Sequence, residues 1–274
     1  MTRNNSSRPV ALITGASAGI GATFARTLAG RGYDLILVAR RRDRLDSVAA
    51  ALALLGARAD ALPADLTNRD DLERVAARIA SEDRLELLIN NAGFGTRGRF
   101  WEAPVEGQVD MHRLHVMATM RLCHAALAAM VPRRRGGVIN VSSVAGFIQN
   151  SGNTSYAATK CWMNSFTEGL YLELKSAGSP VKVQALCPGF TLTEFHDVMG
   201  ADRKAVPAWL WMKAEVVVER SLRGLERGEL FVIPGWIYKM IVLIVPHIPR
   251  FLRTPGVMRY SRHSRRSRRE LTSD

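Results

Sequence analysis

Val10-Ala11-Leu12-Ile13-Thr14-Gly15-Ala16-Ser17-Ala18-Gly19-Ile20-Gly21 is an apolar, strand-length run that turns through three glycines into an amphipathic stretch carrying Ile20, Phe24 and Leu28. Glycines at such a turn let the backbone bend sharply and approach a pyrophosphate, which then rests on the positive N-terminus of the following helix. The spacing is Gly-x3-Gly-x-Gly rather than the more general G-x-G-x-x-G. A glycine-rich strand–helix turn also arises for packing reasons alone. Its position after the first strand of a βαβ unit favours the dinucleotide reading, with Gly15, Ser17, Gly19, Ile20 and Gly21 as the contacting residues.

Outward from this loop, short apolar runs alternate with amphipathic stretches, the pattern of βαβ units and a parallel sheet. Strands are expected at 10–14, 33–39, 59–64, 85–90, 138–142, 181–187 and 230–233, and helices near 20–31, 43–55, 69–81, 105–131, 155–177 and 213–227. The strands are apolar at consecutive positions, as strands covered on both faces should be. Asp70 and Ser155 are candidate N-caps, and Gly178 with Pro180 should stop the fifth helix. The expectation is an α/β fold: a single doubly wound Rossmann-type domain over 1–235, with a parallel sheet of about seven strands flanked by helices. An apolar C-terminal extension over 236–258 and a basic, disordered tail over 259–274 would follow it.

The chain has 274 residues, of which 47% are hydrophobic and 23% charged, a globular composition that argues against extensive disorder. No apolar run reaches the roughly 20 residues of a membrane-spanning helix. The N-terminus MTRNNSSRPV lacks the apolar core of a signal peptide. Cys123, Cys161 and Cys187 suggest neither a disulfide framework nor a metal spacing. These features together suggest a soluble cytoplasmic protein. The net charge of +13 sits at the ends: residues 1–44 hold 8 basic and 2 acidic side chains, residues 231–274 hold 9 and 2, and the span between them is balanced. That distribution does not suit specific nucleic-acid binding, which would spread basic residues along one folded face.

The second strand ends at Arg40-Arg41-Arg42, about 20 residues past the glycines. An NAD enzyme has a carboxylate there for the ribose 2′-hydroxyl, whereas an arginine meets the 2′-phosphate of NADP. No carboxylate occurs before Asp43, so Arg40, with Arg41 as a second candidate, is assigned to phosphate and NADP (NADPH) is favoured over NAD. Arg42 and Arg44 read as the solvated start of a helix. Further along, Ser142-Ser143 closes the fifth strand, and Tyr156-Ala157-Ala158-Thr159-Lys160 opens the next helix. A tyrosine and a lysine at i and i+4 share a helical face. The ammonium should favour the phenolate and bring the tyrosine pKa from about 10 towards neutrality.

TGASAGIG, Asn90-Asn91-Ala92-Gly93, Ser143 thirteen residues before Tyr156, YAATK, and Pro188-Gly189-Phe190-Thr191-Leu192-Thr193 occur in that order. Together they resemble the short-chain dehydrogenase/reductase superfamily over residues 10 to about 195. The resemblance implies Tyr156 as acid/base, Lys160 lowering the tyrosine pKa and binding the nicotinamide ribose, and Ser143 on the substrate oxygen. It also implies Asp65 on the adenine, Asn91 and Ala92 along the cofactor through their backbone, and Thr193 on the carboxamide. Ser142 reads as a structural neighbour. A homo-oligomer is a further implication.

One position departs from the family pattern. Where the superfamily carries Asn in a stretch like L-N-V, this chain has Leu114-His115-Val116. Three readings stand: His115 fills the space and bonds locally, it shuttles a proton within the catalytic set, or turnover is crippled. His112 and His115 lack a placed acidic or cysteine partner, so no metal is assigned. Phe94, Phe147-Ile148, Phe190 and Trp209-Leu210-Trp211-Met212 suggest an apolar carbonyl or alcohol substrate: a ketone, a steroid or a 3-oxoacyl group. Residues 236–252 either cover that pocket or a subunit interface, or, with the arginine-rich tail, dock on an anionic membrane surface. Two function classes follow. One is an NADPH-dependent carbonyl reductase; the other is a weakly active or inactive NADP-binding regulatory or membrane-associated protein of the same fold.

Overall fold

The computed structural model describes residues 8–96, 98–149, 151–195, 206–249, 251 and 254. Seven parallel strands form one sheet in the order β3-β2-β1-β4-β5-β6-β7. These are β1 (Val10–Thr14), β2 (Asp34–Ala39), β3 (Ala59–Pro63), β4 (Leu85–Asn90), β5 (Gly137–Val141), β6 (Lys182–Leu186) and β7 (Phe231–Val232). Between them lie α1 (Gly19–Gly30), α2 (Arg42–Ala53), α3 (Arg69–Ala80), α4 (Val105–His112), α5 (Thr119–Met130), α6 (Thr154–Ser176) and α7 (Ala214–Glu226). A last helix, α8 (Trp236–Ile244), follows β7. The elements match the expected ones to within two residues, except over 105–131.

The consecutive apolar residues of the central strands are explained by two cores, one on each face. Val10, Leu12, Ile36, Val38, Leu88, Val138 and Val183 pack with α3, α5 and α6 side chains such as Ile79, Leu122 and Leu174. Their neighbours Ala11, Ile13, Leu35, Leu37, Ile89, Ile139 and Leu186 pack with α1, α2 and α7 through Phe24, Leu28, Leu45, Val217 and Leu222. Side chains alternate faces along a strand, so both faces can be buried only if every position is apolar. The edge strand β3 is only partly buried and ends on Pro63, which an edge tolerates because one side of its ladder is unpaired.

Three local expectations need correction. The cap of α3 is Asn68, two residues before Asp70: its side-chain oxygen accepts the N–H groups of Asp70 and Asp71, and both acids sit in the first turn against the helix dipole. Ser155 is likewise inside α6, where its hydroxyl donates to Gln108 Oε1 at 2.6 Å and ties α6 to α4. The expected single helix over 105–131 is interrupted between α4 and α5, where Arg113–Ala118 widens into a π-helical segment. Gly178, at φ +61°, ends α6 as expected.

The apolar extension begins as α8, whose Tyr238 is buried. The tail over 259–274, the charged part of the membrane-docking expectation, lies outside the described residues. Among the described residues no helix is long and apolar enough to cross a membrane, and no cluster of His, Cys, Asp and Glu could hold a metal ion.

Candidate active site

Strand order reverses between β1 and β4, so the helices after these strands leave on opposite faces and open a crevice at their carboxyl ends. The glycine loop lines this crevice. Gly15 and Gly19 have φ of +65° and +56°, a region that L-residues with a Cβ avoid. A Cβ on Gly21 would lie 2.3 Å from the Gly15 carbonyl oxygen, and one on Gly15 would lie 2.9 Å from the Ala92 Cα. The chain can follow this path only with glycine at these positions. Ala18 caps α1 without a side-chain hydrogen bond, and the first turn holds no acid. The free N–H groups and the helix dipole therefore face the loop, which suits a pyrophosphate.

Thr14, which the sequence reading passed over, joins the two sides of the crevice. Its Oγ1 accepts the backbone N–H groups of both Asn91 and Ala92 at 2.9 Å. Asn91 Nδ2 returns a bond to the Thr14 carbonyl at 2.9 Å. These N–H groups are thus spent within the protein, and backbone contact from Asn91 and Ala92 to a cofactor would run through their carbonyls. Asp65 Oδ1 accepts from Thr67 N and Oγ1, which fixes the turn after β3. Thr193 packs across Gly19.

At the end of β2 the four arginines divide. Arg44 pairs with Glu194 at 2.7 Å and Arg42 with Asp46 at 3.2 Å. Arg41 reaches Ser17 Oγ at 3.4 Å and Glu194 at 3.6 Å. Arg40 is exposed and has no hydrogen-bond or ion-pair partner among the described residues. The loop, the uncapped helix and this free cation make a donor set that fits a phosphorylated dinucleotide.

Ser143, Tyr156 and Lys160 come together past the end of β5. Lys160 Nζ lies 5.7 Å from the Tyr156 ring centre, and Ser143 stands in hydrogen-bonding contact with the phenol. Ser142 Oγ donates to the Lys160 carbonyl, the structural role expected of it. The charge state differs from the sequence expectation. Burial pushes the Tyr156 phenol up to about 12, with the Ser143 contact pulling the other way. Burial also pulls Lys160 down to about 7. Lys160 Nζ donates to the Val141 carbonyl at 2.8 Å. Desolvation is the largest influence on both side chains and favours the neutral form of each.

Around this centre the rings crowd. Phe195 lies 6.0 Å and His115 5.9 Å from the Tyr156 ring, and Phe94 lies 6.3 Å from His115. Phe190 stacks obliquely on Trp211 at 5.3 Å, and the Thr191–Met212 bridge holds the 209–212 segment to the Pro188-Gly189 loop. Phe147 turns to Phe231 instead, and Trp209 is exposed. Tyr238 of α8 is a further residue the sequence did not signal. It donates to the Leu210 carbonyl at 2.6 Å and accepts the Phe190 N–H at 3.1 Å. A Cβ on Gly189 would fall 2.1 Å from its ring. The start of the extension is therefore a clasp on the loops beside the site.

Residues 9–204 match the short chain dehydrogenase family. The chain belongs to that family. Among curated relatives, the 3-oxoacyl-[acyl-carrier-protein] reductase of Escherichia coli is 32% identical over 197 residues, covering 72% of this chain and 79% of its own. Solved structures match over a longer span. A short-chain dehydrogenase from Sphingobium yanoikuyae in complex with NADPH is 36% identical with a TM-score of 0.79, covering 97% of this chain and 96% of that one. The bulky-bulky ketone specific alcohol dehydrogenase from Comamonas testosteroni is 32% identical with a TM-score of 0.75, covering 98% and 95%. As a short-chain dehydrogenase, the protein is an oxidoreductase of small molecules that works with a nicotinamide dinucleotide.

Proposed function

We propose that this short-chain dehydrogenase uses NADPH to interconvert an apolar ketone and its secondary alcohol, with Tyr156 as the acid/base. The observation that carries the reading is the buried Tyr156 phenol set among Ser143, Lys160 and the Phe195 ring. NADPH, when bound, would supply the hydride that reduces the carbonyl carbon. Tyr156 then gives its proton to the carbonyl oxygen, and the reverse step returns it. Ser143 fixes that oxygen by a hydrogen bond, Lys160 holds the nicotinamide ribose, and Thr193 takes the carboxamide. Asn91 and Ala92 line the cofactor, and Asp65 meets the adenine. Phe94, Phe190, Phe195 and Trp211 give the substrate an apolar wall. Likeness to a protein named for bulky-bulky ketones supports a large apolar carbonyl. Likeness to a 3-oxoacyl reductase keeps 3-oxoacyl thioesters in the substrate class. The other reading, NADP binding without turnover, has less support because Ser143, Tyr156 and Lys160 are all present and adjacent.

The deciding experiment follows NADPH oxidation by absorbance against ketones graded from small to long-chain, bulky and steroidal, with a 3-oxoacyl thioester included. Turnover should rise with apolar size. Tight NADPH binding with no turnover on any carbonyl would favour the non-catalytic reading instead.

Cofactor choice rests on Arg40, the cation at the end of β2 that has no ion-pair partner among the described residues. A charge-assisted hydrogen bond of about 1.5–3 kcal/mol to a 2′-phosphate corresponds to roughly 10- to 100-fold in affinity. Arg40→Ala should raise the NADPH dissociation constant by that factor and leave the NADH one nearly unchanged, read by nucleotide fluorescence titration. Equal weakening of both would remove Arg40 from the 2′-phosphate.

A further inference from the structure

His115 stands on the π-helical segment between α4 and α5 and is completely buried. Each of its ring nitrogens has one partner. Nδ1 lies 2.9 Å from Thr159 Oγ1, and Nε2 lies 3.3 Å from the Phe94 backbone nitrogen. The Thr159 hydroxyl has a single proton and donates it to the Tyr156 carbonyl at 2.8 Å. Towards His115 it can therefore only accept, so Nδ1 carries the hydrogen. Phe94 N–H can only donate, so Nε2 must be bare. These two neighbours select a single form of the ring, the neutral Nδ1–H tautomer.

The surroundings reinforce that choice. Gly93 lets the ring approach the loop, since a Cβ there would fall 2.7 Å from Nε2. Lys160 on α6 and His112 on the same helix are the charged or titratable groups acting on the ring, and both oppose a positive charge there, as does burial. Tyr156 is in edge contact at 5.9 Å, and among the described residues no ionisable side chain of the Phe94 loop acts on the ring.

We propose that His115 is a positioning residue: its neutral ring clamps the α6 turn that carries Tyr156 to the loop after β4, through Thr159 on one side and the Phe94 N–H on the other. The clamp passes no proton, because both nitrogens and the Thr159 hydrogen are committed to fixed partners. It holds the acid/base on α6 in register with the cofactor-lining wall of Asn91 and Ala92. This inference rests on the assignment of Tyr156 as the acid/base.

The test joins a spectrum to a pair of conservative changes. In the full-length protein labelled with 15N-histidine, the His115 signals, assigned by their loss in His115→Gln, should show the neutral Nδ1–H tautomer from pH 5 to 9, with and without NADPH. Thr159→Val removes the acceptor and should lower kcat about 10-fold through misalignment. The KM for NADPH and the shape of the pH profile should stay unchanged. Thr159→Ser, which keeps the hydroxyl, should restore kcat. Melting temperature and NADPH binding, measured on each variant, separate misalignment from misfolding. Protonation of His115 between pH 5 and 8 with kcat following it would overturn the clamp in favour of a proton shuttle. The Nε2–H tautomer, or wild-type kcat in Thr159→Val, would overturn it as well. The tautomer is read without turnover, so inactivity on every carbonyl would strike the functional reading while the spectrum still judged the clamp.

Discussion

Tyr156→Phe is expected to lower kcat by about 10²- to 10⁴-fold, the range carried by a positioned acid/base, while NADPH binds as before. The substitution deletes one oxygen and keeps the ring, so the packing against Phe195 and His115 survives. Folding should change little, because the ring that fills this buried position is kept. The pH dependence follows from the direction of the shift. With burial raising the phenol to about 12, the proton needed for carbonyl reduction is in place across the whole working range. The reduction rate at saturating NADPH should therefore show no loss from tyrosine ionisation near pH 10, where a free phenol titrates. The checks are steady-state kinetics from pH 6 to 10, nucleotide titration and thermal unfolding. Activity within a few-fold of wild type in Tyr156→Phe would take the acid/base role away from this residue.

Lys160→Met should separate activity from stability. Loss of the Lys160 amine, with its proposed contact to the nicotinamide ribose beside the phenol, is expected to cost about 10²-fold or more in kcat/KM, the scale of a lost preorganised electrostatic contact. Stability should move the other way as the pH falls. Burial lowers Lys160 to about 7 in the folded chain from the ordinary 10.5. Between these values the unfolded chain holds a proton that the folded chain has released, so wild-type stability rises as pH climbs through this window. Below pH 7 both states hold the proton, and the full cost of burying a charge bears on the native state. The methionine has no such cost. Its melting temperature relative to wild type should be highest near pH 6 and should decline steadily towards pH 10. The lost bond to the Val141 carbonyl shifts the whole comparison by a constant and leaves its slope intact. Parallel melting curves at every pH would mean that Lys160 is not destabilised by burial.

The site was unevenly legible. Tyr156 and Lys160 are one helical turn apart, so their shared face follows from spacing, and Ser143 follows from its place just past a strand. Arg40 was legible from its distance beyond the glycines, although sequence could not tell which of four arginines stays unpaired. That depended on Glu194, 150 residues from Arg44, reaching back to hold Arg41 and Arg44. Thr14 gave no signal because its partners lie 77 and 78 residues away. Tyr238 gave none because it sits in an apolar run where any large side chain would read the same.

His115 shows the same division within one side chain. The sequence marked it as a departure, and its ordinary pKa left the proton-shuttle reading open. Its tautomer depends on Thr159, 44 residues on, and on one backbone N–H from the β4 loop. The charge states of Tyr156 and Lys160 depended on burial in the same way. An i, i+4 pair on an exposed helix would keep its tyrosine near 10 or lower it, whereas packing α6 against β5 strips water from both groups and drives them towards neutrality.

By itself, the sequence determined the order of strands and helices, the parallel doubly covered sheet, the glycine turn and the identity of the catalytic candidates. All of these are written in short-range periodicity and spacing, where each residue constrains neighbours within a turn or a strand. The tertiary structure alone decided which arginine lacks a partner among the described residues, which hydroxyl joins β1 to β4, how α8 clasps the Pro188-Gly189 loop, and in which direction burial shifts the groups of the site. Those depend on partners distant in the chain and on the removal of water, and both come into being only when the sheet and its helices close on each other.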